Sequence, residues 1–222
     1  MATTSALPIA LLFTLPSDSP QICSFISSLS TAAGISAPKP DIKSYPDAIY
    51  HNYYPLGVSL CFLPSTGLDS VDLYSRDSHP NTSSRVRGPV YDDAPEVVFR
   101  FSSTTLPLPL RDSKSEEPPQ TIERPIELRL TAGTTGRDLV SCLGEPTKKG
   151  SGGWTGVWLE WTKVELSAGE EGAGGEEHIG MMVELRDPGA REMDEAMMKK
   201  GMGGVWDRAS KWEWKTVKLY KA

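Results

Sequence analysis

The chain carries the same succession of hydrophobic patterns twice, and this internal similarity restricts its fold more than any other feature. The string PIALLFT at residues 8–14 precedes a helical apolar pattern, and so does PIELRLT at residues 125–131. Further on, GVSLCF at residues 57–62 matches GVWLEW at residues 156–161, and a second strand-like run follows each of them. The order strand, helix, strand, strand in both halves indicates a degenerate tandem repeat.

We therefore predict an α+β fold built from two degenerate repeats, each with a helix packed on an antiparallel sheet. The first repeat spans residues 1–101 and includes a polar insertion at residues 75–95. The second repeat spans residues 125–222. Residues 102–124 are rich in proline, serine and glutamate, which is typical of a linker or a mobile loop.

Each predicted helix begins at a recognisable cap. Ser19 is a good N-cap and Pro20 suits the first helical position. Thr135 with Asp138 three residues later approximates a capping box, and Gly144 ends that helix. The apolar stripe of the first helix follows helical spacing at Ile22, Phe25, Ile26 and Leu29.

Short apolar or alternating runs between turn residues predict the strands. They lie at residues 9–15, 56–63, 68–74, 96–101, 126–130, 156–162, 178–186 and 212–220. We expect residues 38–54, rich in proline and tyrosine, to form an ordered loop, and residues 191–200 to form a short Met-rich helix.

A recognisable string runs through the second half. Gly133-Thr134-Thr135, Leu139-Val140, Leu143-Gly144 and Pro146 precede an aromatic strand at residues 158–161. The string resembles the signature of the small outer-membrane-assembly lipoprotein modules, and the module in tandem looks like the beta-lactamase-inhibitor protein, whose concave sheet grips another protein. The resemblance implies helices on an antiparallel sheet and binding of a macromolecule rather than a reaction. The sequence departs from these modules in that no lipobox cysteine stands at the N-terminus, so we do not expect a lipoprotein.

A shorter resemblance lies in the first half. The stretch HNYYPLGV at residues 51–58 is similar to a stretch of the eukaryotic phagosome assembly factor family, which is associated with autophagy and phosphoinositide-bearing membranes. It covers fewer residues than the first resemblance. It implies peripheral contact with a membrane.

Composition narrows the class of partner and the compartment. The net charge of −6 argues against a nucleic-acid binder, and no apolar run approaches the length of a transmembrane segment. Three cysteines without paired spacing predict neither a disulfide framework nor a zinc site. We expect a cytoplasmic protein without a cofactor.

Known catalytic patterns do not occur in the sequence. The three histidines, His51, His79 and His178, lack the spacing of metal ligands. The sequence contains no G-x-S-x-G motif, and no cysteine has a convincing histidine partner for nucleophilic catalysis. We therefore predict no catalytic residues, no metal and no enzymatic activity.

The tryptophans provide the one functional clue, because all six follow residue 153. Alternation along the last strands predicts one face of large aromatic and charged side chains, of the types that dominate protein interfaces. The residues of this predicted face are Trp158, Glu160, Met182, Glu184, Arg186, Trp212, Trp214, Lys218 and Tyr220. Either the face binds another protein, or the first half or the loop at residues 38–54 packs on it and makes a second core.

Two functions follow from these patterns. The first is a soluble binding or adaptor protein that uses the aromatic sheet face for a protein partner. The alternative is a small-ligand or lipid-headgroup binder with a pocket between the repeats, lined by Tyr50, Tyr53 and Tyr54. Neither pattern specifies the partner or the oligomeric state.

Overall fold

The structure, a computed structural model, describes residues 9–75, 89–107, 120–151, 156–167, 176–186 and 203–222. Its strands are β1 (Asp41–Ser44), β2 (Ile49–Tyr53), β3 (Val58–Leu63), β4 (Gly67–Tyr74), β5 (Val97–Arg100), β6 (Thr105–Pro107), β7 (Thr121–Glu123), β8 (Glu127–Leu130), β9 (Lys148–Ser151), β10 (Val157–Ser167), β11 (Glu176–Leu185) and β12 (Trp214–Lys221). Its helices are α1 (Pro20–Ala32), α2 (Gly136–Leu143) and α3 (Gly203–Ala209), with 3₁₀ turns at Ile9–Leu12 and Tyr54–Leu56.

Eight strands form one antiparallel sheet in the order β1-β2-β3-β4-β12-β11-β10-β9. The first four strands form a meander from the first half of the chain, and the last four form a meander from the second half. The two meanders join where β4 pairs with β12, with Val71 opposite Leu219. The antiparallel sheet with a few helices is therefore as predicted, and it is consistent with an α+β or a mainly β fold.

The duplication itself stays a prediction. The sequence matches align β3 with β10, which contain the two GV strings. In the sheet, however, β3 lies next to the central β4–β12 pair, whereas β10 is separated from that pair by β11. The strand that occupies the position equivalent to β3 is therefore β11, not β10. The two halves share a meander of four strands, but the sequence matches and the positions in the sheet do not coincide.

The caps predicted for α1 and α2 are present. Ser19 Oγ accepts a hydrogen bond from Ile22 N at 3.3 Å, and the predicted apolar stripe of α1 is buried. At α2, Thr135 N donates to Asp138 Oδ2 at 2.8 Å, and Asp138 N donates back to Thr135 Oγ1 at 3.4 Å. Reciprocal bonds of this kind satisfy backbone donors that a helix start leaves free.

The core lies on one face of the sheet, against α1, α2 and the small β5–β8 sheet. Two tryptophans are buried in it. Trp161 Nε1 donates to Gly144 O at 3.0 Å, and Trp214 Nε1 donates to Thr131 O at 2.6 Å. Each indole is therefore packed and also hydrogen-bonded, as a buried indole requires.

The ends of the predicted linker are ordered against the rest of the chain. They pair as strands β6 and β7. Arg124, which follows β7, joins this segment to α2. Its Nε donates to Ser103 O at 2.8 Å, and its Nη1 donates to Cys142 O of α2 at 3.2 Å. The guanidinium also lies 4.1 Å from the centre of the Phe101 ring. Arg124 thus fastens this segment to the last turn of α2.

The strand predicted at residues 9–15 is wrong, because Ile9–Leu12 is a 3₁₀ turn. Ile9, Leu12 and Phe13 are buried and stand three and four residues apart, which is helical spacing. Thr14 follows with a positive φ of 72°, and its N–H donates to Leu68 O at 2.8 Å. The segment therefore contacts the β3–β4 hairpin without joining the sheet.

The loop predicted at residues 38–54 is also wrong, because it contains the β1–β2 hairpin. All four residues of β1 are exposed, so no apolar alternation marked the strand. Neither β9 nor α3 was predicted, and the Met-rich helix expected at residues 191–200 lies outside the described residues. Among the helices that the structure describes, none is long and apolar enough to cross a membrane.

Candidate binding face

The face of the eight-stranded sheet opposite the core carries the candidate site, and the strand register arranges its side chains in three rows. The middle row crosses all eight strands as Lys148, Glu160, Met182, Lys218, Asp72, Ser59, Asn52 and Asp41. One flanking row is Gly150, Trp158, Glu184, Thr216 and Tyr74, and the other is Gly180, Tyr220, Ser70, Cys61, Tyr50 and Lys43. We call these residues the open face.

Three large side chains of the open face form a diagonal across the second half of the sheet. They are Trp158 on β10, Met182 on β11 and Tyr220 on β12. Trp158 lies in one flanking row, Met182 in the middle row and Tyr220 in the other flanking row. Diagonal neighbours of this kind are about 7–8 Å apart, within reach of long and aromatic side chains. All three are partly exposed. We call them the Trp–Met–Tyr diagonal.

Glycines on the neighbouring strands hold the two rings of the diagonal. A Cβ at Gly150 would lie 2.6 Å from the Trp158 ring, and a Cβ at Gly180 would overlap the Tyr220 ring. Gly150 lies directly opposite Trp158, and Gly180 directly opposite Tyr220. A glycine in a strand allows such close approach, and the ring in turn covers the glycine backbone.

Glu160 fixes the position of Tyr220 by charge and hydrogen bonding. The Tyr220 hydroxyl donates to Glu160 Oε1 at 2.6 Å, and Lys148 Nζ lies 3.2 Å from Glu160 Oε2. The hydrogen bond from Tyr220, with help from Lys148, lowers the pKa of Glu160. Burial and the Glu160 carboxylate raise the pKa of Tyr220 to about 12. Both groups therefore keep this bond at neutral pH.

The other charges beside the diagonal are paired as well. Glu184 Oε1 lies 2.7 Å from Lys215 Nζ, and Glu184 Oε2 accepts from Thr216 Oγ1 at 3.3 Å. Arg186, just after β11, donates to Ser75 Oγ, and its Nη1 lies 3.5 Å from Glu213 Oε2. This part of the face thus presents alternating, mutually compensated charges.

The pair Lys218 and Asp72 joins the two halves of the face. Lys218 Nζ lies 3.0 Å from Asp72 Oδ1 and donates to Ser70 Oγ at 3.0 Å. Burial raises the pKa of Asp72, and Lys218 offsets this only in part.

Part of the first half of the face, at Asn52, Ser59 and Tyr74, is covered by Tyr91, which follows β4 in the chain. The Tyr91 hydroxyl donates to Asn52 Oδ1 at 2.6 Å, and Ser59 Oγ donates to the same oxygen at 3.0 Å. The Tyr91 ring stacks on Tyr74 with 4.0 Å between ring centres. Asn52 and Ser59 are consequently buried at 5% and 2% exposure. Nothing in the sequence marked Tyr91, which lies in the predicted polar insertion.

Most of the predicted face residues lie together on the open face. Arg186 lies at the end of its strand, and six others lie in the rows: Trp158, Glu160, Met182, Glu184, Lys218 and Tyr220.

Trp212 and Trp214 correct the prediction. Trp214 is 1% exposed and lies in the core, because a bulge at Lys215 resets the alternation of β12. Trp212 precedes β12 and packs, partly buried, against the core.

The predicted tyrosine pocket between the halves does not form. Tyr50 lies on the open face, whereas Tyr53 is 7% exposed and belongs to the core on the other side. Tyr54 lies on a 3₁₀ turn and donates from its hydroxyl to Asp41 Oδ2 at 3.2 Å. An open cleft of about 430 Å³ instead lies at the β1–β2 end of the sheet, lined by Lys43, Tyr45, Asp47, Ala48, Tyr50 and Asn52.

The described residues contain no group of three or more His, Cys, Asp or Glu side chains placed to hold a metal ion. No family model, no curated protein and no solved structure matches the chain. What the protein does must therefore be inferred from its own geometry.

Proposed function

We propose that the protein is a non-enzymatic binding or adaptor protein that holds another protein on the second half of the open face. The observation that supports this proposal is the Trp–Met–Tyr diagonal, which is partly exposed although its rings are large and apolar. Trp and Tyr are enriched among the residues that contribute most to protein–protein affinity, and Met is enriched at interfaces.

The fixed rings favour binding further. Glycines opposite Trp158 and Tyr220 and the bond from Tyr220 to Glu160 hold the rings before any partner arrives. Association therefore costs less side-chain entropy than it would if Trp158 and Tyr220 were mobile. The resemblance to modules whose sheet grips another protein points to the same type of function.

The paired charges favour a protein over a nucleic acid as the partner. Lys148, Lys215 and Lys218 each lie within 3.2 Å of a carboxylate oxygen of the same face. A surface that binds phosphates usually presents lysines and arginines in excess of carboxylates. A mixed, neutral rim around an apolar centre is typical of protein interfaces.

Quantitative affinity purification tests the proposal, with the wild type compared with the double variant Trp158→Ala and Met182→Ala. We expect the variant to lose at least one partner that the wild type retains. Leu11→Ala and Ile126→Ala are matched controls, because these residues are apolar and 55% and 39% exposed but lie outside the open face. Thermal unfolding checks that all variants fold. Identical partner lists for the wild type and the double variant would overturn the proposal.

Trp214 is unsuitable for this experiment although its sequence position suggested it. Because Trp214 is buried, Trp214→Ala would cost about 3–5 kcal/mol of stability and report on folding rather than on binding.

Vesicles separate the protein-binding function from the lipid-headgroup alternative. The wild type and Tyr50→Ala, which alters the β1–β2 cleft, are each mixed with vesicles that contain phosphoinositides. On the proposal, neither protein sediments with the vesicles. Sedimentation of the wild type that Tyr50→Ala abolishes would support the alternative instead.

A further inference from the structure

The edge strand β1 has features that suit pairing with a copy of itself. Within the described residues β1 pairs only with β2, and all four of its residues are exposed. Ile42 is 54% exposed, which is unusual for an isoleucine in a strand. The other edge residues are Asp41, Lys43 and Ser44.

The backbone of β1 has a defined set of outward groups. Tyr45 N donates to Ala48 O at 2.8 Å, so the backbone groups of Tyr45 point toward β2. Because this direction alternates along an antiparallel strand, Lys43 and Asp41 also bond toward β2. Ile42 and Ser44 therefore direct their N–H and C=O groups away from the sheet, where another strand can pair with them.

We propose that β1 pairs with β1 of a second copy of this chain, antiparallel, about a two-fold axis at Ile42. In this register Ile42 lies opposite Ile42 of the second copy, and the two exchange both backbone hydrogen bonds. Asp41 of each copy then lies opposite Lys43 of the other. The pairing thus forms two ion pairs on one side of the joined sheets and an Ile–Ile contact on the other.

Charge selects this register over its neighbour. A two-fold axis at Lys43 would place the two lysines directly opposite each other, and like charges in that position are destabilising. The other edge strand, β9, has no such complementarity, since its sequence is Lys-Lys-Gly-Ser and self-pairing about Lys149 would again oppose two lysines.

Prolines limit the pairing to a short segment. Pro40 precedes β1 and has no N–H to donate, and Pro46 follows Tyr45. Beyond the central Ile42 pair, Ser44 N–H can still donate to the Pro40 carbonyl of the second copy. A two-fold contact is closed, so it produces a dimer rather than a fibre. The contact is small, so the dimer is weak and depends on protein concentration.

Disulfide trapping tests the register. In a Cys23→Ser background, which removes the exposed native thiol, Ile42→Cys should form a cross-linked dimer under mild oxidation. Opposed residues of a hydrogen-bonded pair have Cα atoms about 5.5 Å apart, which a disulfide can span. Ser44→Cys is the matched control, because the two copies of that residue would be about 13 Å apart along the strand. Equal cross-linking at both positions, or none at residue 42, would overturn the proposed register.

Charge exchange tests the pairing itself, by analytical ultracentrifugation over a range of concentrations. Lys43→Asp should weaken association about tenfold, because it replaces two ion pairs by two repulsions. The double variant Asp41→Lys with Lys43→Asp should restore association, since it recreates both ion pairs in reverse. A wild type that stays monomeric at every concentration, or a double variant as weak as the single one, would refute the dimer. Neither result depends on the partner of the Trp–Met–Tyr diagonal.

Discussion

The two halves of the open face use their aromatic side chains in opposite ways. In the first half, Tyr91 covers Asn52 and Ser59 and donates a hydrogen bond to Asn52 Oδ1. In the second half, Trp158 and Tyr220 lie on glycines and remain partly exposed. The face is thus covered from within the chain at Asn52 and Ser59, on β2 and β3, and left partly exposed at the Trp–Met–Tyr diagonal, on β10, β11 and β12. The difference indicates where a partner can still gain from covering the sheet.

Among substitutions on the open face, the largest loss of stability is expected where Tyr91 covers the first half. Asn52→Ala removes Oδ1, the acceptor that Tyr91 and Ser59 share, and Nδ2, which donates to Asp41 O at 3.0 Å. We expect a loss of about 2–3 kcal/mol in the free energy of unfolding, because these bonds are buried. Urea unfolding measures it. Tyr220→Phe, which removes one bond in the open half, is the matched comparison and should cost less. Equal losses would mean that the halves do not differ.

Asp72 gives the first half of the sheet a pH dependence. Burial raises its pKa above the reference value of 3.8, so the native state binds its proton more tightly than the unfolded chain does. This stabilising contribution is present below 3.8 and is lost as the pH rises through the folded-state pKa. The stability of the wild type relative to Asp72→Asn should therefore fall as the pH rises. Urea unfolding of both proteins across the acidic range checks this, and a rising difference would contradict it.

Glu160, in the second half, should show the opposite slope. The bond from Tyr220 lowers its pKa below the reference value of 4.5, so the ionised form is favoured in the native state. Its contribution is present above 4.5 and is lost as the pH falls through the folded-state pKa. The stability of the wild type relative to Glu160→Gln should therefore fall as the pH falls. If stability relative to Asp72→Asn and relative to Glu160→Gln changed in the same direction with pH, the opposite pKa shifts of the two carboxylates would be refuted.

The smallest change in stability is expected for Trp158→Ala. The ring is partly exposed and lies over Gly150 at the surface of the sheet, so its removal should cost no more than about 1 kcal/mol. Thermal unfolding measures this, with Trp161→Ala as the buried counterpart on the same strand. A large loss for Trp158→Ala would show that the ring supports the fold, and would remove the main reason to assign it to binding.

The parts of the fold that the sequence predicted are those with strong local chemistry. The caps of α1 and α2 follow from Ser19 and Thr135, and the two faces of β10 follow from alternation around Trp158. The hairpin of β3 and β4 was equally clear, because turn residues at 64–67 separate its two apolar runs.

The errors have tertiary causes. β1 was missed because an exposed edge strand needs no apolar residues. Trp214 was placed on the wrong face because a single bulge at Lys215 reverses every residue before it, and no local signal marks a bulge. Tyr91 was missed because its partners are distant in sequence, as its bond to Asn52 spans 39 residues.

The pairing of β4 with β12 has a consequence for synthesis. Ser70 and Lys218, in contact across this pair, are 148 residues apart in the chain. During translation, β4 leaves the ribosome long before β12 exists, and its edge remains a free template for other strands. Closure of so distant a contact also makes the folding transition slow. We therefore expect chains interrupted before residue 214 to aggregate, and the nascent protein to depend on chaperones until the last strand is made.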